Sequence, residues 1–557
     1  MKLYVVDDEV RLECSGIEFL KLKTELTVRL NGALKTQKTV LIFSISDLPL
    51  VRDLIESAEK SSEIVDILNS YELHAEARER VLEILESQSM EGVPEEWIQC
   101  LESAQVYAVA AMTVPGLLGV CLFDEQGSGK TVMAIAAFDI LKIAKSIDAM
   151  IIACPKTMMS EWPKDIERFL PGKYKIVVAE GNRQSRFQTA LSDFDILVTN
   201  YEGIEHMRVA LTATASKKRY LLVVDESYYV KNTDSLRSES VNQLRVSCER
   251  CFVLCGTPAP NSPYDLINQF NLADTGVTFS GFKRSNDAES DRDRISDLIN
   301  TRGTLIRRLK TEILQSVPEK NFHVIKVPLV GRQALMYEKG KLKLELELRA
   351  MDNTFFRRHL ATYFQRRAVL LQICSIPSAI DPTISDVPVK YRYLDGLLDD
   401  LIGQGRKVIL WSFYMNSLND LAVRYAKYNP VRIDGSVDSA TRKNAVRLFQ
   451  EDSNRMLFIG NPAAAGAGVT LHAAYDAVYV SYSNQAAHYL QSLDRIHRRG
   501  QKAKEVNYYL LVCEDTIEET EVIRLRGKEL QQHSLMGDHI PWPSSLDEAL
   551  KELNGHD

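Results

Sequence analysis

Between residues 95 and 270 six short apolar runs recur: LLGVCLF, AMIIACP, KIVVAE, DILVTN, YLLVVDE and CFVLCGTP. Stretches with helical spacing separate them. Runs of this kind, alternating with helices, predict a parallel α/β sheet buried on both faces. From residue 391 the pattern resumes with KVILWSF, VRIDGS, RMLFIGN, AVYVSY and VNYYLLV, which predicts a second parallel sheet. Residues 1–45 alternate apolar and polar positions (LYVVDDEVRLEC, ELTVRLNG, KTVLIFSIS) with Asn31-Gly32 as a turn signal, so a small sheet is expected there. Ser46-Asp47 is a candidate cap for the helical periodicity of 48–90, and Gly92-Val93-Pro94 marks a boundary. Residues 275–390 are charged and read as mostly helical. Within them KLKLELELRA alternates at period two, a strand signal, but its setting between helical stretches favours helix.

The chain of 557 residues has room for three or four domains. The expected organisation is an acidic α+β accessory domain at 1–92, an α/β lobe at 93–325 with a helical insertion from about 275, and a helical linker at 326–390. A second lobe at 391–515 and a helical brace and tail at 516–557 complete it. Composition is that of an ordinary globular protein, with 45% hydrophobic and 26% charged residues. No apolar run is long enough for a transmembrane helix, and the start MKLYVVDDEV lacks the pattern of a signal peptide. A cytoplasmic protein without membrane partners is therefore expected, in a bacterial or phage-infected cell. The net charge of −7 is matched by residues 1–91, which hold 18 acidic and 11 basic residues. Any positive track for nucleic acid must then be local. Cys248, Cys251 and Cys255 lack a nearby fourth zinc ligand and read as core cysteines.

Chemistry concentrates at two places. In CLFDEQGSGKTVMAIAA a strand meets a helix through Gly127, Ser128 and Gly129. The glycines let backbone amides point at phosphate oxygens, Lys130 would bridge the β- and γ-phosphates, and Thr131 would ligate Mg²⁺. The usual P-loop has a glycine where this chain has Asp124. The strand LLVVDES ends in Asp225, a candidate Mg²⁺ ligand, and Glu226, a candidate for orienting or deprotonating water. Some 360 residues after the P-loop, QSLDRIHRRGQ places Arg495 and Arg498 three apart, on one face of an expected helix, after Gln491 and Asp494. With the loop Gly466-x-Gly468-x-Thr470 upstream, these arginines read as sensors of a γ-phosphate, neutralising charge that develops on the transferred group. ATP and Mg²⁺ are the cofactors expected.

These residues carry a resemblance to the Swi/Snf-type ATPases, DNA translocases of helicase superfamily two, over about residues 100–530. The family's D-E-x-G-x-G-K-T is matched at 124–131. VVDESYYVKN resembles V-V-D-E-A-H-x-x-K-N, CGTPAPN resembles T-G-T-P-x-x-N, and LLQICSIP resembles L-R-Q-I-C-x-x-P. CPKTMMSEWPKDIERF and TLIRRLKTEILQSVPEKNFHVIKVPL resemble further family segments. The resemblance implies two RecA-like parallel-sheet lobes with helical insertions, and ATP-driven tracking on double-stranded DNA through backbone contacts without sequence preference. It assigns Gln105 to adenine, Gly468 to the nucleotide, and Lys156, Thr157, Thr199, Asn200, Gly466 and Thr470 to DNA. Arg302, Arg307, Arg308, Lys310, Arg357, Arg358, Arg366 and Arg367 are candidates for local positive charge.

Two departures stand out. Tyr228 replaces the family's histidine, which couples the ATP site to the T-P-x-x-N element, and G-V-T-L at 468–471 replaces G-L-N-L. The second form resembles HARP-like and compact bacterial or phage members. No chromatin-reading or nuclease module is recognisable, so nucleosome remodelling is not expected. The function expected is a DNA-dependent ATPase and translocase that remodels DNA or protein–DNA complexes. The rivals are an ATP-gated clamp with weak coupling and a strand-separating or RNA-directed helicase. Residues 1–91 are the candidate for a protein partner or for autoinhibition.

Overall fold

The computed structural model describes residues 1–6, 9–30, 34–259, 262–285, 287–313, 318–464, 471–482, 486–498, 501–530, 543 and 545–554. The chain forms two compact units, residues 1–314 and 315–557. The first opens with strands β1 (Lys2–Val6), β2 (Glu9–Glu13), β3 (Lys35–Gln37), β4 (Val40–Ser44) and β5 (Glu59–Lys60), a mixed sheet in the order β3-β4-β2-β1-β5. ELTVRL, expected as a strand, instead ends the helix Gly16–Arg29. Leu22, Leu26 and Leu30 are buried at four-residue spacing, so helical periodicity overrides the local alternation. The helix expected over 48–90 is broken by β5 and restarts as Ser62–Ser87, where the Ser61 hydroxyl caps Ile64. Asp47 caps nothing with its side chain and accepts instead from the Gly281 amide at 3.1 Å.

A seven-stranded sheet follows: β6 (Gly119–Leu122), β7 (Ala149–Cys154), β8 (Ile176–Val178), β9 (Ile196–Asn200), β10 (Tyr220–Asp225), β11 (Arg250–Leu254) and β12 (Leu305–Ile306). All its pairings are parallel, in the order β12-β6-β11-β10-β7-β9-β8. Strands β6, β7, β10 and β11 are buried throughout, which is why they read as unbroken apolar runs. The carboxyl ends of β6, β11 and β10 therefore lie side by side.

The second unit carries β13 (Glu319–Val327), β14 (Val408–Trp411), β15 (Val431–Ile433), β16 (Leu457–Gly460), β17 (Asp476–Tyr479) and β18 (Glu505–Cys513), again all parallel. Their order is β13-β18-β17-β14-β16-β15. Strands β12 and β13 lie inside the stretch expected to be helical; of the nine residues of β13 only Val327 is buried, and the rest are partly or fully exposed and give little apolar signal. KLKLELELRA belongs to the helix Gly331–Arg349, with Leu344 and Leu348 buried one turn apart. The fold is thus α/β with two parallel-sheet lobes, helical insertions and a small N-terminal α+β region. Among the described residues no helix is long and apolar enough to cross a membrane.

Candidate ATP site

Strand β6 ends in a loop that turns at Gly127 (φ 82°) and Gly129 (φ 90°) and enters the helix Lys130–Ile143. A Cβ on Gly129 would lie 2.4 Å from Gln105 Nε2, so both backbone conformation and space demand glycine. Gln105 is buried behind the loop, where its amide donates to the Ser128 carbonyl at 2.7 Å. Its Oε1 accepts from the Glu102 amide at 3.0 Å. The Lys130 ammonium donates to the Asp124 and Glu125 carbonyls at 2.8 and 3.2 Å. Ser128 Oγ is buried with no hydrogen-bond partner, a donor suited to a phosphate oxygen. Asp124 explains the departure from the usual glycine. Its buried carboxylate accepts from the Arg308 amide at 2.8 Å and from Arg308 Nε at 3.1 Å, tying the loop to the residues after β12.

Strand β10 delivers Asp225 and Glu226 beside this loop. Asp225 is buried and accepts from Trp162 Nε1 at 2.9 Å. Burial, followed by the neighbouring Glu226 charge, pushes its carboxyl up to about 7. Glu226 turns the chain with φ 53°, and its Oε1 accepts from Gln126 Nε2 at 3.0 Å. The P-loop and the paired carboxylates are therefore joined directly. An anion cradle, an orphan hydroxyl, a lysine and a buried aspartate raised in pKa form a donor set that fits a nucleotide triphosphate with Mg²⁺. Thr131, the other expected Mg²⁺ ligand, occupies the second position of the helix that follows the loop.

Four of the residues assigned to DNA by resemblance, Lys156, Thr157, Thr199 and Asn200, lie at the carboxyl ends of two neighbouring strands. Cys154 and Asn200 are register partners on β7 and β9, so Lys156-Thr157 and Thr199-Asn200 leave adjacent strand ends. Asn200 Oδ1 accepts from Arg186 at 2.7 Å, and its Nδ2 donates to Glu202 at 2.6 Å. In the second unit the helix Ala486–Leu493 stops before Arg495, and Arg495 and Arg498 lie in the turn beyond it rather than on a helix face. Asp494 and Arg495 are buried there, and the Leu471 amide donates to the Arg495 carbonyl at 3.1 Å. Gly466, Gly468 and Thr470 lie outside the described residues.

Several arginines expected as open positive charge have internal partners. Arg308 serves Asp124, and Arg307 donates to the Phe123 carbonyl at 3.0 Å. Lys310 is fully buried, and Arg367 is buried with Glu521 at 2.6 Å and Glu552 at 2.8 Å. Buried carboxylates select Arg308 and Arg367, and Arg307 and Lys310 are likewise drawn inward, so these cations form neither a solvated face nor a surface track. Cys248, Cys251 and Cys255 are buried, and burial pushes each thiol up to about 12, as suits core cysteines. Sequence reasoning missed Trp162, Gln126 and Gln269. A tryptophan in an otherwise polar segment was the available signal for the first, since a buried indole N–H needs an acceptor.

Two family models match the chain. The SNF2-related domain covers residues 71–378, and the helicase conserved C-terminal domain covers 389–500. An uncharacterized ATP-dependent helicase of Mycoplasma genitalium is 24% identical over 92% of this chain and 48% of its own length. An ISWI chromatin-remodeling complex ATPase of Saccharomyces cerevisiae is 27% identical over 74% of this chain and 39% of its own length. The chain thus spans about half or less of the length of these curated relatives. A solved Sulfolobus solfataricus SWI2/SNF2 ATPase core in complex with dsDNA is similar at a TM-score of 0.37 and 19% identity, covering 82% of this chain and 97% of that one. With the first model alone matching more than half of its residues, the chain belongs to the SNF2-related family of helicase-like ATPases.

Proposed function

We propose that this chain hydrolyses ATP in response to double-stranded DNA and uses the turnover to move along the duplex, remodelling DNA or protein–DNA complexes. The observation that carries this reading is the 3.0 Å bond from Gln126 in the P-loop to Glu226, which sets the candidate water-activating carboxylate beside the phosphate cradle. Backbone amides of the loop, Ser128 and Lys130 would hold the phosphates, with Gln105 fixing the loop from behind. Thr131 and Asp225 would hold Mg²⁺, whose positive charge offsets that of the phosphates when it is bound. Glu226 would orient the attacking water and accept its proton. Arg495 and Arg498 would supply positive charge to the γ-phosphate. Lys156, Thr157, Thr199 and Asn200, gathered at adjacent strand ends, would contact DNA phosphates, which position the chain without reading sequence.

The test is ATP hydrolysis with no nucleic acid, duplex DNA, single-stranded DNA or RNA, beside a Glu226→Gln control. Strong stimulation by duplex DNA that the control abolishes is the expected result. Equal rates with and without duplex DNA, or a response to RNA alone, would overturn the proposal.

A further inference from the structure

The family's D-E-x-H histidine is Tyr228 here, and the structure offers a different route from the carboxylate pair to the Gly256-Thr257-Pro258 loop. Ser227, the residue after Glu226, is fully buried, and its hydroxyl donates to Gln269 Oε1. Gln269, also fully buried, spends both amide hydrogens on carbonyls, Pro258 at 2.7 Å and Asp265 at 2.6 Å. The loop also meets the P-loop. A Cβ on Gly256 would lie 3.1 Å from Gln126 Oε1, and Gln126 Nε2 already bonds Glu226. Gln126, Glu226, Ser227, Gln269, Pro258 and Gly256 therefore form a closed ring of contacts through all three segments.

Glu226 holds a left-handed φ of 53°, so its direction depends on what anchors the next residue. That anchor is Ser227 on Gln269. Asn268, beside it on the helix Ile267–Asp274, donates to the Val230 carbonyl and fixes the far end of the same turn. A fully buried glutamine is costly to bury and, with every polar atom matched, rigid once buried.

We infer that Gln269, through Ser227, is the positioning residue that links the Asp225–Glu226 turn to the Thr257-Pro258 loop, in the role the family gives to its histidine. The inference rests on the nucleotide site proposed above but not on movement along DNA. A movement of the Glu226 turn when nucleotide binds pulls on Ser227, and the Gln269 amide carries it to the Pro258 carbonyl. Gln269 touches no reacting atom.

The experiment compares amide hydrogen exchange in the segment holding Gly256 and Thr257 with and without a nonhydrolysable Mg-ATP analogue. It uses the full chain with Gln269→Met, Ser227→Ala and the double variant Ser227→Ala/Gln269→Leu. In the wild type the analogue slows exchange in this segment. In each variant that slowing is lost, ATP turnover falls by about tenfold, and KM for ATP moves by less than about twofold. The double variant removes the Ser227 donor together with its acceptor but still leaves the Pro258 and Asp265 carbonyls without the Gln269 amide, so its thermal midpoint recovers only part of the way toward wild type while the slowing stays lost. Slowing that persists in Gln269→Met, or that returns with stability in the double variant, would overturn the inference. Failure of duplex DNA to stimulate the wild type would instead sink the translocase reading, and the exchange result would still judge Gln269.

Discussion

Trp162 tunes the carboxylate on which Mg²⁺ binding would depend. Its indole N–H stabilises the charged form of Asp225, against burial and the Glu226 charge that together push the group up to about 7. Trp162→Phe removes the donor, so more Asp225 is protonated near neutrality. The Mg²⁺ concentration for half-maximal ATP turnover is expected to rise about tenfold, the equivalent of one lost hydrogen bond to a charged group. The defect should shrink as pH rises from 6 to 8; a magnesium titration at each pH checks both. His74 offers a second reading by pH. Burial, then Arg245, Arg250 and Arg78, lowers its imidazole to about 4, and its Nδ1 accepts from the Leu118 amide at 3.2 Å. The folded value lies below the usual 6.5, so this contribution is whole above pH 6.5 and lost as pH falls toward 4. It amounts to at most about 3 kcal/mol, from a gap of about 2.5 units at 1.36 kcal/mol each. Urea unfolding at pH 7 and 4.5 should show a loss that His74→Gln largely removes. The placement of Lys130 at a helix start and of Asp225 and Glu226 at a strand end was legible because strand and helix grammar frames them. Trp162 and Gln269 were not, because their partners lie 63 and 42 residues away, at Asp225 and Ser227.

At the scale of elements, the two parallel sheets were legible because buried strands write unbroken apolar runs, and this succeeded where both faces are covered. The reading failed where an element is half exposed. ELTVRL imitates a strand while its buried leucines follow a helix, and β13 looks like a charged connector because only one of its nine residues is fully buried. The C-terminal helix Leu546–Asn554 shows what such an element can carry. Its Glu552 accepts from Tyr363 at 2.8 Å and from Arg367 Nε at 3.0 Å, and pairs with Arg524 at 3.3 Å. These two arginines hold its carboxyl below the usual range against its burial. Glu552→Ala leaves two buried guanidinium groups to share Glu521 and is expected to cost about 3 kcal/mol. Calorimetry should show the second unit melting several degrees lower, with ATP affinity of the first unit unchanged.

At the scale of the whole molecule, the acidic N-terminal region is built into the first unit. The helix Ser62–Ser87 gives Ile64 and Tyr71 to the core of the small sheet and Ala77 and Val81 to the core around β6 and the P-loop helix. Arg78 from the same helix donates to the Gly303 and Asn300 carbonyls at 2.9 and 2.6 Å, just before β12. Asp47 binds Ser280 and Gly281, and His74 binds Leu118 at the entry to β6. A detachable inhibitor would meet the larger sheet across a polar seam; this region has its own core around the small sheet and also shares a core with the sheet that carries the candidate ATP loop. Deleting residues 1–91 therefore does more than unmask a surface. It strips Val81 and Ala77 from Trp97, Val106 and their neighbours, and it leaves the backbone around Gly303 without its arginine. Exposed apolar area at about 25 cal/mol per Å² makes such a loss several kcal/mol, comparable with the whole stability of a domain. The shortened chain is expected to aggregate or to unfold at much lower urea, with basal ATP turnover falling. A soluble, well-folded product with raised basal turnover would instead show that the region is an inhibitory module.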